Sequence, residues 1–240
     1  MRARRKALAA PSARDWSFRH ELKYYINQGE AALLENTLAL TMDRDPYAGP
    51  DGSYFIRSLY FDDVASSALR QKLDGVDERK KFRIRTYNLK DDQISLECKE
   101  KKGQFIHKSA VRISRALCEQ ILSGDASGLL AVDAPVARLM FDGMTSRLLR
   151  PAVIVDYVRK PFVAEYQNVR ITFDADLRTG VFSKDLFDPY LPTVSAMDKY
   201  DMILEVKFDE YLPDYYHKLI QTGSSLRSAV SKYVLCRRFE

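Results

Sequence analysis

The sequence is poor in the residues that build zinc sites and disulfide frameworks. It holds three cysteines, Cys98, Cys118 and Cys236, and three histidines, His20, His107 and His217. The cysteines are scattered, no CxxC pair occurs, and no histidine clusters with them. Neither a structural zinc centre nor a disulfide scaffold is expected, and reduced thiols in a cytoplasmic protein are the simplest reading. No apolar run approaches the ~20 residues of a membrane helix, so no integral membrane segment is expected. Residues 1–16 begin basic but lack the apolar stretch of a signal peptide. They are expected to form a flexible basic arm ahead of one domain over residues 17–240. No Gly/Ser/Pro linker and no internal repeat divides that domain.

An excess of one charge is also largely missing. Lys and Arg number 38 against 33 Asp and Glu, which leaves a net charge of +5. That admits an anionic partner without choosing one. Nucleic acid is the least favoured, because the charges mix both signs on strand faces and no nucleic-acid motif is present.

Alternation is what the chain does have. In Phe18 to Ile26, Arg19, Glu21 and Lys23 share one face, while Leu22, Tyr24 and Ile26 share the other. Over Arg79 to Tyr87, Arg79, Lys81, Arg83 and Arg85 oppose Phe82 and Ile84. Over Ile94 to Lys101, Ser95, Glu97, Lys99 and Lys101 oppose Ile94, Leu96 and Cys98. Over Val169 to Arg178, Arg170, Thr172, Asp174, Asp176 and Arg178 oppose Val169, Ile171, Phe173 and Leu177. Over Asp201 to Phe208, Glu205 and Lys207 oppose Met202, Leu204, Val206 and Phe208. Further strands are expected over Tyr54 to Phe61, Phe105 to Ser114 and Ala152 to Arg159. Helical spacing marks 30–42, 134–150 and 211–222, with a short helix after Asp62. The sum is an α+β fold: an antiparallel β-barrel of roughly eight strands with flanking amphipathic helices.

Periodicity alone leaves open which face points inward. If the helices cover an apolar outside, the charged faces line the inside. Buried, unpaired cations cost several kcal/mol each unless an anion compensates them. Phosphate is a suitable compensating anion, because Arg offers it a rigid fork of donors and Lys a mobile point charge. A lone Glu among such cations suits a hard divalent metal.

Several strings then resemble one family. They are Ser58-Leu59-Tyr60-Phe61-Asp62, Lys72-Leu73-Asp74-Gly75 and Lys81-Phe82-Arg83-Ile84-Arg85-Thr86-Tyr87. The opening Arg19-His20-Glu21-Leu22-Lys23-Tyr24 belongs with them. So do Glu97-Cys98-Lys99, Lys108-Ser109, Asp156-Tyr157-Val158-Arg159, Glu205-Val206-Lys207 and Ser231-Lys232-Tyr233. In this order and spacing the chain resembles the VTC domain, the polyphosphate polymerase branch of the CYTH-like triphosphate tunnel metalloenzymes, from about residue 18 to its end.

The resemblance implies a basic tunnel that binds ATP and polyphosphate or triphosphate with Mn²⁺ or Mg²⁺. It implies transfer of the ATP γ-phosphate to a growing chain. Of the catalytic residues Arg83, Arg85, Arg159 and Lys232, the three arginines would stabilise charge on the transferred group, and Lys232 with Lys108 would orient the attacking phosphate end. Lys23, Lys81, Lys99, Lys108, Lys207 and Arg178 would hold phosphates. Glu205 would lead the metal ligands, with Glu21 and Glu97 behind it. The first strand departs from the ExExK pattern of triphosphatase members, having one Glu before Lys23. That favours polymerase over hydrolase. A tripolyphosphate or nucleoside triphosphate hydrolase and a non-catalytic polyphosphate-binding module remain as alternatives. Eukaryotic members carry an inositol-phosphate-sensing SPX domain and membrane helices, which these residues are not expected to hold. An accessory protein of unknown identity stays open.

Blander expectations apply elsewhere. Tyr24, Tyr60, Tyr87 and Tyr233 read as packing residues and Asp62 as a helix cap. His20 and His107 are not expected to serve as a general base. Lys101 and Lys102 read as a solvated hairpin end, and Arg237 and Arg238 as surface.

Overall fold

In the computed structural model, which describes residues 20–103, 105–198, 201–221 and 228–239, the alternating segments pair into one antiparallel sheet. The expected arm over residues 1–16 lies outside the described residues. The strands are β1 (His20–Asn27), β2 (Asp43–Arg44), β3 (Tyr54–Asp62), β4 (Arg79–Tyr87), β5 (Lys90–Lys102), β6 (Phe105–Ile113), β7 (Arg150–Val163), β8 (Arg170–Val181), β9 (Val194–Ser195) and β10 (Asp201–Phe208). Eight follow the order β1-β10-β8-β7-β3-β4-β5-β6, and the two-residue strands β2 and β9 pair with β7 and β8 off that path.

The sheet is not a closed barrel. Among the described residues β1 and β6 are its edges, with no backbone ladder between them. Side chains bridge instead: Lys99 on β5 donates to Glu21 on β1 at 2.8 Å. A backbone ladder would need the edges ~4.8 Å apart, whereas long charged side chains span a wider separation. The curl comes partly from register shifts, between Tyr60 and Phe61 of β3, Arg85 and Tyr87 of β4, and Asp156 and Val158 of β7. An extra residue on one strand bends and twists the pair locally.

The helices α1 (Gln28–Leu38), α2 (Ser67–Leu73), α3 (Arg115–Ser123), α4 (Pro135–Ser146), α5 (Asp214–Ile220) and α6 (Lys232–Cys236) settle which face points where. α3 and α4 bury Leu117, Ile121, Ala137 and Met140 against Leu59, Ile84, Leu96 and Ile154. α1 and α5 bury Leu34, Leu38, Tyr216 and Ile220 against Ile171, Phe173, Leu204 and Val206. These two clusters cover the convex side with helices. The charged residues of the same strands therefore face the concave side. Part of the interior is apolar too. Ile56, Val155, Tyr157, Leu177 and Ile203 pack there with Tyr233, Leu235 and Cys236 of α6.

Local signals explain the helix boundaries. Asn27 and Glu30 form a reciprocal capping box on α1. Ser114 accepts from Leu117 N at the start of α3, and Gly124 ends it at φ 95°. α2 is capped from a distance. The Asp62 carboxylate, 1% exposed, accepts from Ala68 N at 2.9 Å and Leu69 N at 3.2 Å. The same carboxylate takes the Tyr233 hydroxyl at 2.5 Å and faces Arg237 at 3.5 Å. Arg237 is thus enclosed, contrary to its expected surface role, because α6 turns inward and brings it onto Asp62.

Asp62 therefore ties α2 and α6 to the end of β3. Asp62→Ala should cost about 2–4 kcal/mol, since it strands two backbone donors and a buried guanidinium. Urea denaturation measures it, and Asp62→Asn should lose less than Ala.

Candidate functional site

Four carboxylates organise the concave face. Asp174 and Glu205, 1% and 4% exposed, sit side by side on β8 and β10, two residues apart in register. Glu21 projects from β1 and Glu97 from β5. Each lies on the face opposite the apolar residues that the helices cover, so alternation together with the helix layer puts it inside.

Cations surround them. Arg159 gives Asp174 a two-pronged bond at 2.6 and 2.7 Å and reaches Glu205 at 3.6 Å. Lys232, carried in by α6, reaches Asp174 at 2.5 Å and Glu205 at 3.6 Å. Lys23 contacts Glu21 at 3.1 Å and Glu205 at 3.9 Å, and Lys207 contacts the same two carboxylates. Lys99 completes the Glu21 set. Across the interior, Arg83 donates Nε and Nη2 to Glu97 at 2.9 and 2.6 Å. Arg85 at 3.9 Å and Lys108 at 3.1 Å face the same carboxylate. Arg159, Lys232, Lys23, Lys207, Lys99, Arg83, Arg85 and Lys108 are eight cations on four carboxylates. The cluster carries a surplus of positive charge in a partly water-excluded place.

The titration behaviour follows. Burial works to raise the Glu205 carboxyl, but Lys23, Lys207, Lys232 and Arg159 outweigh it and hold Glu205 well below the usual carboxylate range. Glu97 is likewise held low against burial by Arg83, Arg85 and Lys108. Burial works to lower the Lys23 ammonium, yet Glu205 and Glu21 hold it above its ordinary value. Where carboxylates are scarce, burial wins. Lys108 falls to about 8 despite Glu97, with Arg83 and Arg85 repelling it. Lys81 falls to about 7, from burial first and then from Lys72, Arg79, Lys23 and Lys99. Its partners are the Ser231 hydroxyl at 3.5 Å and the face of Tyr233 at 4.9 Å.

The structure thus brings together Glu21, Lys23, Arg83, Arg85, Glu97, Lys99, Lys108, Arg159, Glu205, Lys207 and Lys232, with Lys81 beside them. It leaves Arg178 out. Asp176 adopts φ 49°, and the β7/β8 register slips between Asp156 and Val158. The slip turns Arg178 away from the face of Asp174, and it bonds Thr193 instead. Glu97 is committed to Arg83 and Lys108. Glu21 and Glu205 are neighbours; burial and then Glu205 work to raise the Glu21 carboxyl, but Lys23 and Lys99 outweigh them and hold it below its ordinary value. Among the described residues no group of three or more His, Cys, Asp or Glu side chains converges as a ready metal site.

Four residues in and around this site carried no expected role in it. Asp174 orients both Arg159 and Lys232. Its signal is the cross-strand pair Arg159↔Asp174, which needs the register. Tyr60 accepts from Arg83 Nη1 at 2.9 Å and Tyr157 from Arg85 Nη2 at 3.3 Å, so Tyr60 is more than a packing residue. Arg170 bonds Asp45 at 2.8 Å and the Tyr54 hydroxyl at 2.9 Å, while its Nε is buried with no partner among the described residues.

Comparison with known proteins places this geometry. The VTC domain family matches residues 18–239. No curated protein sequence matches the chain. A solved Bacillus halodurans protein provisionally named an adenylate cyclase superposes with a TM-score of 0.51 at 12% identity, over 92% of this chain and 96% of that one. The PH1819 protein of Pyrococcus horikoshii gives 0.49 at 14% identity, over 93% and 100%. At such identity the first likeness speaks to the fold alone.

The depressed lysine sets a pH signature. Lys81 titrates near 7 in the fold and near 10.5 when unfolded, so the unfolded chain binds the extra proton between those values. Stability from this group therefore rises with pH across that window. Denaturation at pH 7 and pH 9 should show wild type gaining about 1–2 kcal/mol on Lys81→Met over that span.

Proposed function

The chain belongs to the VTC domain family, and we propose that it transfers the γ-phosphate of ATP to the end of a polyphosphate chain on its concave face. The observation that carries this reading is the surplus of inward cations over carboxylates. A polyanion is the partner such a surface lacks.

Phosphoryl transfer asks for positioning and charge stabilisation more than for covalent chemistry by the protein. A terminal phosphate oxygen of the chain attacks the γ-phosphorus, the bond to the bridging β–γ oxygen breaks, and ADP leaves with that electron pair. Arg159 and Lys232 are preset by Asp174, and Arg83 by Glu97 and Tyr60. They are fixed before substrate arrives and need little reorganisation as charge builds on the transferred group. Arg85, on Tyr157 and Ser58, adds a second fork of donors. Lys108 and Lys99, nearer solvent, would take phosphates on either side.

A hard divalent cation, Mn²⁺ or Mg²⁺, fits Glu205 with Glu21, since such ions bind through one or two carboxylates plus substrate phosphate oxygens. Bound there it would neutralise charge on those oxygens.

The test is incubation with γ-labelled ATP and Mn²⁺, with and without a short polyphosphate primer. A labelled polymer ladder with matching ADP is expected. Arg83→Ala and Glu205→Ala should each lower turnover by about 10²–10³-fold. Label released only as free phosphate would replace transfer by hydrolysis. Polyphosphate binding without turnover would leave a binding module.

A further inference from the structure

The inner face of β4 runs past the cluster. Arg79, Lys81, Arg83 and Arg85 alternate along it, opposite Lys101, Lys99, Glu97 and Ser95 of β5. Successive members of such a row stand ~6.6 Å apart. Glu97 compensates the Arg83 step and Glu21 takes Lys99. Further out, Lys101 meets Asp77 of the turn at 3.4 Å. Lys72 lies in the last turn of α2, the helix that packs against β4. Among the described residues Lys72, Arg79 and Lys81 have no ion-pair partner. Arg79 donates to the Val76 carbonyl and Lys81 to Ser231. The Lys72 ammonium is pushed down by burial first and then by the like charges of Arg79, Lys23, Lys101 and Lys99.

We propose that Lys72, Arg79 and Lys81 form an outer anion subsite that holds units of a linear polyphosphate beyond those on the inner cluster. The inference rests on the polyphosphate reading of the concave face. It adds that the chain leaves the cluster along β4 toward α2. A row of cations continuous with the cluster suits a repeating linear anion. A compact triphosphate ends on the inner carboxylate-bound cations and never reaches the row. The subsite thus selects for chain length, retaining a growing product or a primer while the nucleotide binds inside.

Calorimetric titration of the full chain tests it with tripolyphosphate, a medium-chain polyphosphate and a single-stranded oligodeoxynucleotide. The variant Lys72→Gln/Arg79→Gln keeps the side-chain stems, and its unfolding midpoint reports folding. Wild type should bind the medium chain more tightly than tripolyphosphate. The double variant should lose about tenfold on the medium chain and less than about twofold on tripolyphosphate. Its salt dependence for the medium chain should be shallower, since fewer counterions are released. Lys72→Glu, a charge reversal, should deepen the same selective loss. Equal losses on both phosphates, no loss on either, or an oligodeoxynucleotide held as tightly as polyphosphate would overturn the subsite. Length-dependent binding without transfer from ATP would sink the catalytic reading and leave the subsite standing. Transfer without length dependence would do the reverse.

Discussion

Four carboxylates, three of them buried and Glu21 half-buried, hold eight cations in place, and the rest of the architecture serves that arrangement. Without Asp174, Glu205, Glu21 and Glu97, the inward Arg and Lys side chains would repel one another and carry an uncompensated desolvation cost. With them, the cations are fixed but not neutralised. The carboxylates act as braces rather than as full counterions. The residual charge is kept for whatever anion enters. This explains why the strands alternate so strictly. A one-residue slip would put Arg and Lys under the helices and Ile and Phe into the interior. The slip at Asp176 shows the consequence on a small scale, since it removes Arg178 from the cluster and buries Leu177 in its stead.

The C-terminal segment makes the interior asymmetric. α6 lies within the curled sheet, its Tyr233, Leu235 and Cys236 filling the apolar part beside Tyr157 and Val155. Its first residue, Lys232, reaches Asp174. Its last turn is locked by Arg237 onto Asp62, which also caps α2. A five-residue helix is too short to be stable by itself, so packing and this ion pair hold it. The placement of Lys232 thus depends on a buried network at the end of β3. That network also sets where α2 stands, and with it Lys72.

Much of this was legible in the sequence. The strands from Arg79 to Tyr87 and from Asp201 to Phe208 end where alternation ends, and the paired charges of each sit on one face as expected. The sequence left the inward direction conditional on helices covering an apolar outside, and the packed helices settle it. Less was legible where non-local geometry decides. α3 lacks a long apolar period, and what marks it is a Ser cap and a Gly stop. α6 is made helical by its surroundings. The role of Asp174 depends on the register with Arg159, and that of Arg237 on a helix turning inward. The open edge between β1 and β6 is likewise invisible to periodicity, because alternation is the same in an open and a closed sheet. The bulge at Asp176, φ 49°, left only a weak local signal, an Asp in a strand, a residue type disfavoured there and tolerant of positive φ.

The chemistry open to this face is narrowed by what does not reach it. Cys98, Cys118 and Cys236 are pushed up to about 12 by burial, so none supplies a thiolate near neutrality. His20 stacks on Phe208, His217 lies on α5 beside Gln221, and His107 stands on the face of β6 opposite Lys108. Asp174, Glu97 and Glu205 are bound to cations and held ionised, which makes them poor proton donors and crowded nucleophiles. Beside the depressed lysines Lys81 and Lys108, fixed positive charge with preset Arg forks is what remains. Such a surface favours a reaction whose reactants are already anionic, whose attacking group needs no deprotonation and whose leaving group needs charge dispersed rather than a proton delivered. A phosphate chain end attacking a nucleotide phosphate meets all three conditions.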